Sequence, residues 1–165
     1  MVTIKEASIA DLNTIQEIAY KSWPETYGTI LSQDQIHYML DLWYTKDVLI
    51  DNMTHKKHFF ILAFDESVCL GFASYEHNYL NKKITRLHKI YLLPEAQGKG
   101  VGKLLIDTVE NLAREDHSDF ISLNVNKFNK AFAFYQKIGF EIVDEYDTEI
   151  GNGYLMEDYI MQKKL

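Results

Sequence analysis

Three glycines stand close together in the segment Leu92–Leu105, which reads LLPEAQGKGVGKLL. They are Gly98, Gly100 and Gly102, and they separate a strand-like run from a helix-like run. Glycine lets a backbone approach a ligand without a Cβ clash, and the first N–H groups of a helix have no partner within the helix. The helix dipole adds attraction for an anion. The segment is therefore a candidate phosphate loop, and the alternative is a glycine-rich turn without a ligand.

Two common phosphate loops do not fit this spacing. The P-loop needs a glycine five positions after its first one, and Lys103 stands there relative to Gly98. The dinucleotide fingerprint needs a glycine three positions after Gly100, and that residue is again Lys103. The spacing that is present is Gln97-x-x-Gly100-x-Gly102.

A second group of residues with chemical potential lies at 122–140, in SLNVNKFNKAFAFYQKIGF. This segment predicts a strand, an asparagine-rich turn and a helix that ends in Phe134-Tyr135-x-Lys137-x-Gly139-Phe140. The phenol of Tyr135 can donate a proton. Packing is the alternative interpretation, because Phe128, Phe132 and Tyr135 form an aromatic stripe at helical spacing.

The elements that position these residues alternate between strand and helix patterns. Strands are predicted at 2–6, 59–65, 68–77, 87–93, 120–125, 140–146 and 154–162. One helix is predicted from Ser8–Asp11 to about Ser22, where Trp23-Pro24 should end it, and others at 33–50, 101–114 and 129–138. We expect a mixed α/β chain with one central sheet, forming a single domain over residues 1–165.

The two motifs together resemble the signatures of the GCN5-related N-acetyltransferase (GNAT) family. Gln97-x-x-Gly100-x-Gly102 is similar to the family's Gln/Arg-x-x-Gly-x-Gly/Ala loop, and the segment ending at Phe140 is similar to its other signature. The resemblance extends over essentially the whole chain and is most specific in Leu87–Phe140. It implies an α/β (α+β) acyl-CoA N-acyltransferase fold. That fold has a central mixed, mostly antiparallel sheet with splayed fourth and fifth strands, flanked by about four helices.

Acetyl-CoA is the co-substrate that the resemblance implies. Its pyrophosphate would lie on the glycine loop, and its pantetheine and acetyl groups would lie along the fourth strand. Asn129 stands where the family's asparagine contacts the cofactor arm, and Tyr135 stands where its tyrosine lies near the sulfur. The residues expected to bind the cofactor are Ile90, Tyr91, Leu92, Gln97, Gly98, Lys99, Gly100, Val101, Gly102, Lys103, Asn124, Asn129 and Tyr135.

Acetyl transfer to an amine needs a neutral nucleophile, an oxyanion site and a proton for the departing thiolate. The resemblance makes Tyr135 the candidate acid. Many relatives have a glutamate base where this sequence has Arg86, so the preferred base here is His88, which titrates in the useful range. A structural role for His88, and water relays through Glu76 or Glu149, are the alternatives. Backbone N–H groups near Ile90 would hold the oxyanion.

The acceptor amine is predicted mainly from charge. The net charge of −7 argues against a nucleic-acid surface and favours a small cationic amine such as a polyamine. Trp23, Glu25 and Tyr27 lie in the segment that corresponds to the family's acceptor-side loop, so they are predicted to shape the amine pocket, unless the rings plug the core. Rival hypotheses are a non-catalytic acyl-CoA-binding or sensing module and an enzyme that acts on protein N-termini.

The cysteine count, the length of the apolar runs and the histidine spacing bear on compartment, membrane contact and metal binding. A single cysteine, Cys69, excludes an internal disulfide, and no apolar run is long enough to cross a bilayer. We expect a cytoplasmic protein with no membrane partner, and a homodimer is left open. No metal site is expected, because the six histidines show no paired ligand spacing.

Overall fold

A computed structural model describes all residues from Met1 to Leu165. Seven strands and five α-helices follow one another along the chain. The strands are β1 (Val2–Glu6), β2 (Phe59–Asp65), β3 (Val68–Glu76), β4 (Ile84–Leu92), β5 (Phe120–Asn126), β6 (Glu141–Gly151) and β7 (Tyr154–Lys164). The helices are α1 (Leu12–Tyr27), α2 (Gln33–Trp43), α3 (Lys46–Thr54), α4 (Val101–Glu115) and α5 (Ala131–Lys137). Short 3₁₀ turns lie at Ile9–Asp11, Tyr79–Asn81 and Pro94–Ala96.

The strands form one sheet in the order β1-β2-β3-β4-β5-β7-β6. The pairs β1–β2, β2–β3, β5–β7 and β6–β7 are antiparallel, whereas β4 and β5 are parallel. The β4–β5 ladder covers only Ile84–Leu87 against Phe120–Leu123, although both strands continue beyond it. This early end of the pairing confirms the predicted mixed sheet with splayed fourth and fifth strands.

The chain divides into two compact units. The first unit contains Met1–Glu76 and His88–Val109, and the second contains His77–Leu87 and Glu110–Leu165. Both β4 and α4 contribute residues to each unit. The expectation of a single domain over the whole chain stays a prediction.

In the first unit, aromatic side chains make up much of the core. The ring of Trp23 lies 4.7 Å from that of Tyr27, 5.8 Å from that of Tyr44 and 5.4 Å from that of Tyr91, measured between centroids. Tyr44 also packs edge-on against Phe72 of β3. Burying such large rings is the main stabilising contribution of this region, because each removes a wide apolar surface from water.

The first helix extends further than its sequence predicts. Pro24 does not end α1, which runs on to Tyr27, so the expected loop at 23–28 is wrong. Proline inside a helix costs about 3 kcal/mol. Trp23 and Tyr27 stand one turn apart and are only 2% and 6% exposed. Burial of these two rings offsets the cost of the proline.

The predicted helix over 33–50 is two helices. α2 ends at Trp43, and Thr45 adopts an extended backbone with φ −68° and ψ 155°. The Thr45 hydroxyl accepts a hydrogen bond from the N–H of Val48 at 3.3 Å, which caps α3. A capping residue in the interior of a long apolar pattern therefore marks the break.

In the second unit, β6 and β7 form a long antiparallel hairpin, and β7 also pairs with β5. The Lys163 ammonium lies 2.7 Å from the carboxylate of Glu110, which is nearly buried. The strand β6 reaches Gly151, five residues beyond the predicted end at 146, because continued pairing with β7 stabilises it. No helix of the chain has the length and apolar character needed to span a membrane.

Candidate functional site

The glycine loop is a tight turn that leads directly into α4. Gly98 and Gly100 have φ values of +79° and +75°, which L side chains rarely adopt. A Cβ at either position would meet no protein atom within 4 Å, so this side of the backbone is open. The first intrahelical bond of α4 runs from the N–H of Leu104 to the carbonyl of Gly100 at 3.0 Å. The helix itself offers no acceptor to the N–H groups that precede it, so the loop has the character of an anion site.

The lysines of this loop differ in their surroundings. Lys99 is exposed at the turn, whereas the Lys103 ammonium lies 2.7 Å from the carboxylate of Asp107 on the next turn of α4. Both side chains are on the surface, where an ion pair contributes little to stability. Their predicted contact with a phosphate stays a prediction.

The end of β4 carries the residues predicted to follow the cofactor arm. Ile90, Tyr91 and Leu92 are half-buried, and the N–H of Leu93 just after them donates to the carbonyl of Leu70 in β3. The Tyr91 hydroxyl lies 3.1 Å from the hydroxyl of Tyr27. The strand is thus held in place by β3 and by the aromatic core.

His88 lies in a compact cluster of polar side chains. Its Nε2 is 2.9 Å from Oε1 of Glu76, the last residue of β3. The same oxygen is 3.3 Å from Nε2 of His58, whose ring stacks on that of His88 at 4.0 Å between centroids. Sequence reasoning named His88 and Glu76 but missed His58, which precedes β2 and carries no motif.

Burial lowers the pKa values of two groups in and beside this cluster, His58 and Lys89. Burial, followed by the charges of His88 and Lys89, lowers the pKa of His58 to about 4. Burial also lowers the pKa of Lys89 to about 8, and its ammonium donates to Oδ1 of Asn52 at 3.3 Å. His58 is therefore a neutral imidazole at neutral pH.

Arg86 stands where the family resemblance would place a glutamate base. Its guanidinium donates to the hydroxyl of Ser122 at 3.2 Å and to Oδ1 of Asn124, and it lies 5.1 Å from the ring centroid of Tyr79. The side-chain nitrogen of Asn124 lies 3.5 Å from the Tyr146 hydroxyl. Arg86 is thus a fixed cation of the second unit, and it does not supply the base.

Asp158 of β7 is a buried acid that sequence reasoning did not single out. One of its carboxylate oxygens, Oδ1, has no hydrogen-bond partner, and the residue is 9% exposed. Burial raises its pKa to about 6, the charge of Arg86 opposes the rise, Asp147 adds to it, and Lys127 opposes it least. Its signal in the sequence is weak, because an acid at an inward position of an alternating strand looks like any surface acid.

This raised pKa predicts the sign of a pH effect on stability. Between about pH 4 and pH 6 the folded carboxyl keeps a proton that the unfolded one loses, so the contribution of Asp158 falls as pH rises. Asp158→Asn should therefore gain stability relative to wild type between about pH 4 and pH 7, by about 2 to 3 kcal/mol. Urea unfolding at several pH values measures this. Asp144→Asn, an exposed carboxyl of β6, is the control. The prediction would be contradicted if the free energies of unfolding of wild type and Asp158→Asn differed by the same amount at every pH.

Tyr135 and Asn129 lie in the second unit around α5. Tyr135 is 7% exposed and packs against Phe134 and, edge-on, against Phe140. Oδ1 of Asn129 accepts a hydrogen bond from the N–H of Ala131, the first residue of α5, at 2.9 Å. Tyr135 therefore packs in the core. Its catalytic role stays a prediction.

The predicted acceptor residues are not in a loop. Trp23 and Tyr27 are buried on α1. Their rings therefore pack in the core, as the alternative interpretation predicted. Glu25, between them, is exposed. A contact of these three residues with an amine stays a prediction.

Comparison with known proteins establishes the family. The family described as Acetyltransferase (GNAT) family matches residues 12–140. The chain belongs to the GNAT family of acetyltransferases. A spermidine N(1)-acetyltransferase of Thermoplasma acidophilum is 30% identical over 168 residues, which cover 99% of this chain and 97% of that protein. An N-acetyltransferase of Bacillus subtilis, YuaI, is 28% identical over 95% of this chain and 90% of its own.

Solved structures agree with this assignment. PaiA N-acetyltransferase from Thermoplasma acidophilum, in complex with coenzyme A, superposes with a TM-score of 0.84 at 29% identity, covering 100% of this chain and 99% of that one. A GCN5-related N-acetyltransferase from Rhodopseudomonas palustris superposes with a TM-score of 0.85 at 20% identity, covering 99% and 95% of the two chains, and shows the fold. This GNAT protein is therefore an acetyl-CoA-dependent acyltransferase.

Proposed function

We propose that this GNAT enzyme transfers the acetyl group of acetyl-CoA to a primary amine of a polyamine such as spermidine. The observation that carries the proposal is the 30% identity, over 99% of the chain, to a spermidine N(1)-acetyltransferase. A polyamine carries several positive charges at neutral pH, because alkyl amines have pKa values near that of lysine. The net charge of −7 supports attraction of such a substrate.

The glycine loop fits the pyrophosphate of acetyl-CoA. The open space beside Gly98 and Gly100 is the place that a Cβ would occupy in other residues, and the start of α4 faces an anion favourably. We propose that the backbone of this loop binds the pyrophosphate and that Lys99 adds a screened positive charge. When bound, acetyl-CoA supplies the activated acetyl thioester.

The proposed base is His88. A polyamine ammonium must lose a proton before it can attack, so a group that accepts protons near neutral pH is needed. Because Glu76 accepts from Nε2 of His88 at 2.9 Å, the neutral ring carries its proton there, and Nδ1 is the atom that accepts a proton. Glu76 also stabilises the imidazolium that forms.

The proposed acid is Tyr135. A thiolate has a reference pKa near 8.5, and a phenol near 10, so proton transfer needs a site that favours it. The buried position of Tyr135 on α5 holds its ring fixed between Phe134 and Phe140. A fixed ring holds the hydroxyl oxygen at one place, which is what a positioned acid requires.

An amine panel tests the proposed substrate class. The panel contains spermidine, spermine and putrescine, a neutral amino-acid amide, an anionic amino acid and a peptide with a free N-terminus, and released CoA thiol is measured. We expect kcat/KM for the polyamines to exceed that of the other amines at least about tenfold, through a lower KM, because opposite charges favour encounter and binding. Turnover confined to neutral or anionic amines, or to the peptide, would contradict the proposal.

A further inference from the structure

We propose that His58, Glu76 and His88 form a binding site for one divalent transition-metal ion of the zinc type. Each side chain offers one ligand atom, and the three atoms lie within 4.8 Å of one another. All three residues belong to the first unit and lie outside the glycine loop. Acetyl transfer does not require an ion there. Two of the ligands are the proposed base His88 and its partner Glu76, so a bound ion would replace the proton on Nε2 of His88 and compete with the role of that residue as base.

The distances already approach those of a coordinated ion. Zinc binds imidazole nitrogen and carboxylate oxygen at about 2.0 to 2.2 Å, so two ligand atoms of a tetrahedral ion lie about 3.3 Å apart. Oε1 of Glu76 is 3.3 Å from Nε2 of His58 and 2.9 Å from Nε2 of His88. An ion therefore needs an opening of about half an ångström on the His88 side. It also needs one of the two stacked imidazole rings to turn, because each nitrogen lone pair lies in the plane of its ring.

The ligands are held by the backbone and remain accessible. The N–H of His58 donates to the carbonyl of Asn52 at 2.8 Å, and Glu76 and His88 belong to strands β3 and β4. The side chains of His58, Glu76 and His88 are 10%, 26% and 20% exposed, which leaves an entry path. A site whose backbone is already held in place loses little conformational entropy when it binds an ion.

The ligand set selects the kind of ion. Two imidazoles and one carboxylate suit zinc, cobalt and nickel, whereas magnesium and calcium prefer oxygen ligands only. Three protein ligands leave at least one coordination position for water or another small ligand. The sequence expectation of no metal depended on closely spaced ligand pairs, and these ligands come from three separate segments that only the fold brings together.

Calorimetric titration with Zn²⁺ tests the site, in protein without a polyhistidine tag and without acetyl-CoA. We expect one ion per chain in wild type and in the matched control His37→Ala, which replaces an exposed histidine of α2. His58→Ala, Glu76→Gln and His88→Ala should each bind at least about tenfold more weakly. Co²⁺ should give the visible absorption band of a low-coordinate site in wild type and lose it in these variants, and Mg²⁺ should give no binding.

Two results would overturn the site. One is wild-type Zn²⁺ affinity in both His58→Ala and Glu76→Gln, and the other is no saturable one-ion binding in wild type. Circular dichroism and melting temperature without metal show whether each variant is folded. If His88→Ala does not fold, the nearly isosteric Glu76→Gln and the loop variant His58→Ala decide the result. Because no acetyl donor is present, the outcome is independent of the proposed transferase activity.

Discussion

Replacing Tyr135 by Phe should lower kcat for the best amine about 10²- to 10⁴-fold, the usual range for loss of a positioned acid. The ring stays in its place between Phe134 and Phe140, so stability and acetyl-CoA affinity should change little. The substitution thus separates a proton donor from a packing residue, because packing alone needs only the ring.

The matched control is Tyr159→Phe, which also deletes one phenol hydroxyl in the second unit. The Tyr159 ring packs against Phe132 at 5.0 Å, so the control keeps its ring contact as well. Single-turnover kinetics identify whether the step measured is chemical. A kcat for Tyr135→Phe within about threefold of wild type, at a chemical step, would remove Tyr135 as the acid.

The same assay tests the proposed base when pH is varied. His88→Gln should lower kcat/KM most strongly and remove the acidic limb of its pH profile, because that limb reports the protonation of the free base. A purely structural role predicts a lower rate with the acidic limb retained. Retention of that limb would assign the base to another residue or to water.

Gly100→Asp and Gly102→Asp should each abolish the rise in melting temperature that acetyl-CoA causes. At about one hundred times Kd, acetyl-CoA should stabilise wild type by about 2.7 kcal/mol, which corresponds to about 5 to 10 °C. An aspartate at either position places a carboxylate where a phosphate should bind. A Cβ at Gly100 meets no protein atom within 4 Å, and one at Gly102 meets only the Leu92 side chain at 3.5 Å. The packing of the loop should therefore survive.

Gly153→Asp provides a control for backbone strain. Gly153 has φ +78° with open space around a Cβ, very similar to Gly100, but it lies in the turn between β6 and β7. Gly153→Asp should lose about as much stability as Gly100→Asp. Acetyl-CoA should still raise its melting temperature as much as that of wild type. If acetyl-CoA raised the melting temperature of both Gly100→Asp and Gly102→Asp as much as that of wild type, the pyrophosphate would bind elsewhere.

The parts of the fold that follow from local pattern were predictable from the sequence. β2 and α4 match their predicted ranges closely, because alternation and helical periodicity persist along each of them. The glycine loop was predictable as well, because glycine is the residue that readily adopts the positive φ found at Gly98 and Gly100.

Other features depend on contacts that no local pattern reports. The helical turn at Trp23–Tyr27 exists because distant aromatic rings bury it, which overrides the proline. The His58–Glu76–His88 cluster and the environment of Asp158 arise from tertiary approach of separate segments. Their residue types were visible in the sequence, but their proximity was not.

Acetyl transfer itself is tested most directly with acetyl-CoA that carries a ¹³C-labelled acetyl group and with spermidine as acceptor. Mass spectrometry follows labelled N-acetylspermidine while thiol release is measured in the same reaction. The enzyme should form one labelled acetylspermidine for each CoA released, and heat-inactivated protein should form none. CoA release without labelled amine would indicate hydrolysis. Tight acetyl-CoA binding without release, for spermidine and every other amine tested, would contradict the transferase account and favour a non-catalytic binding module.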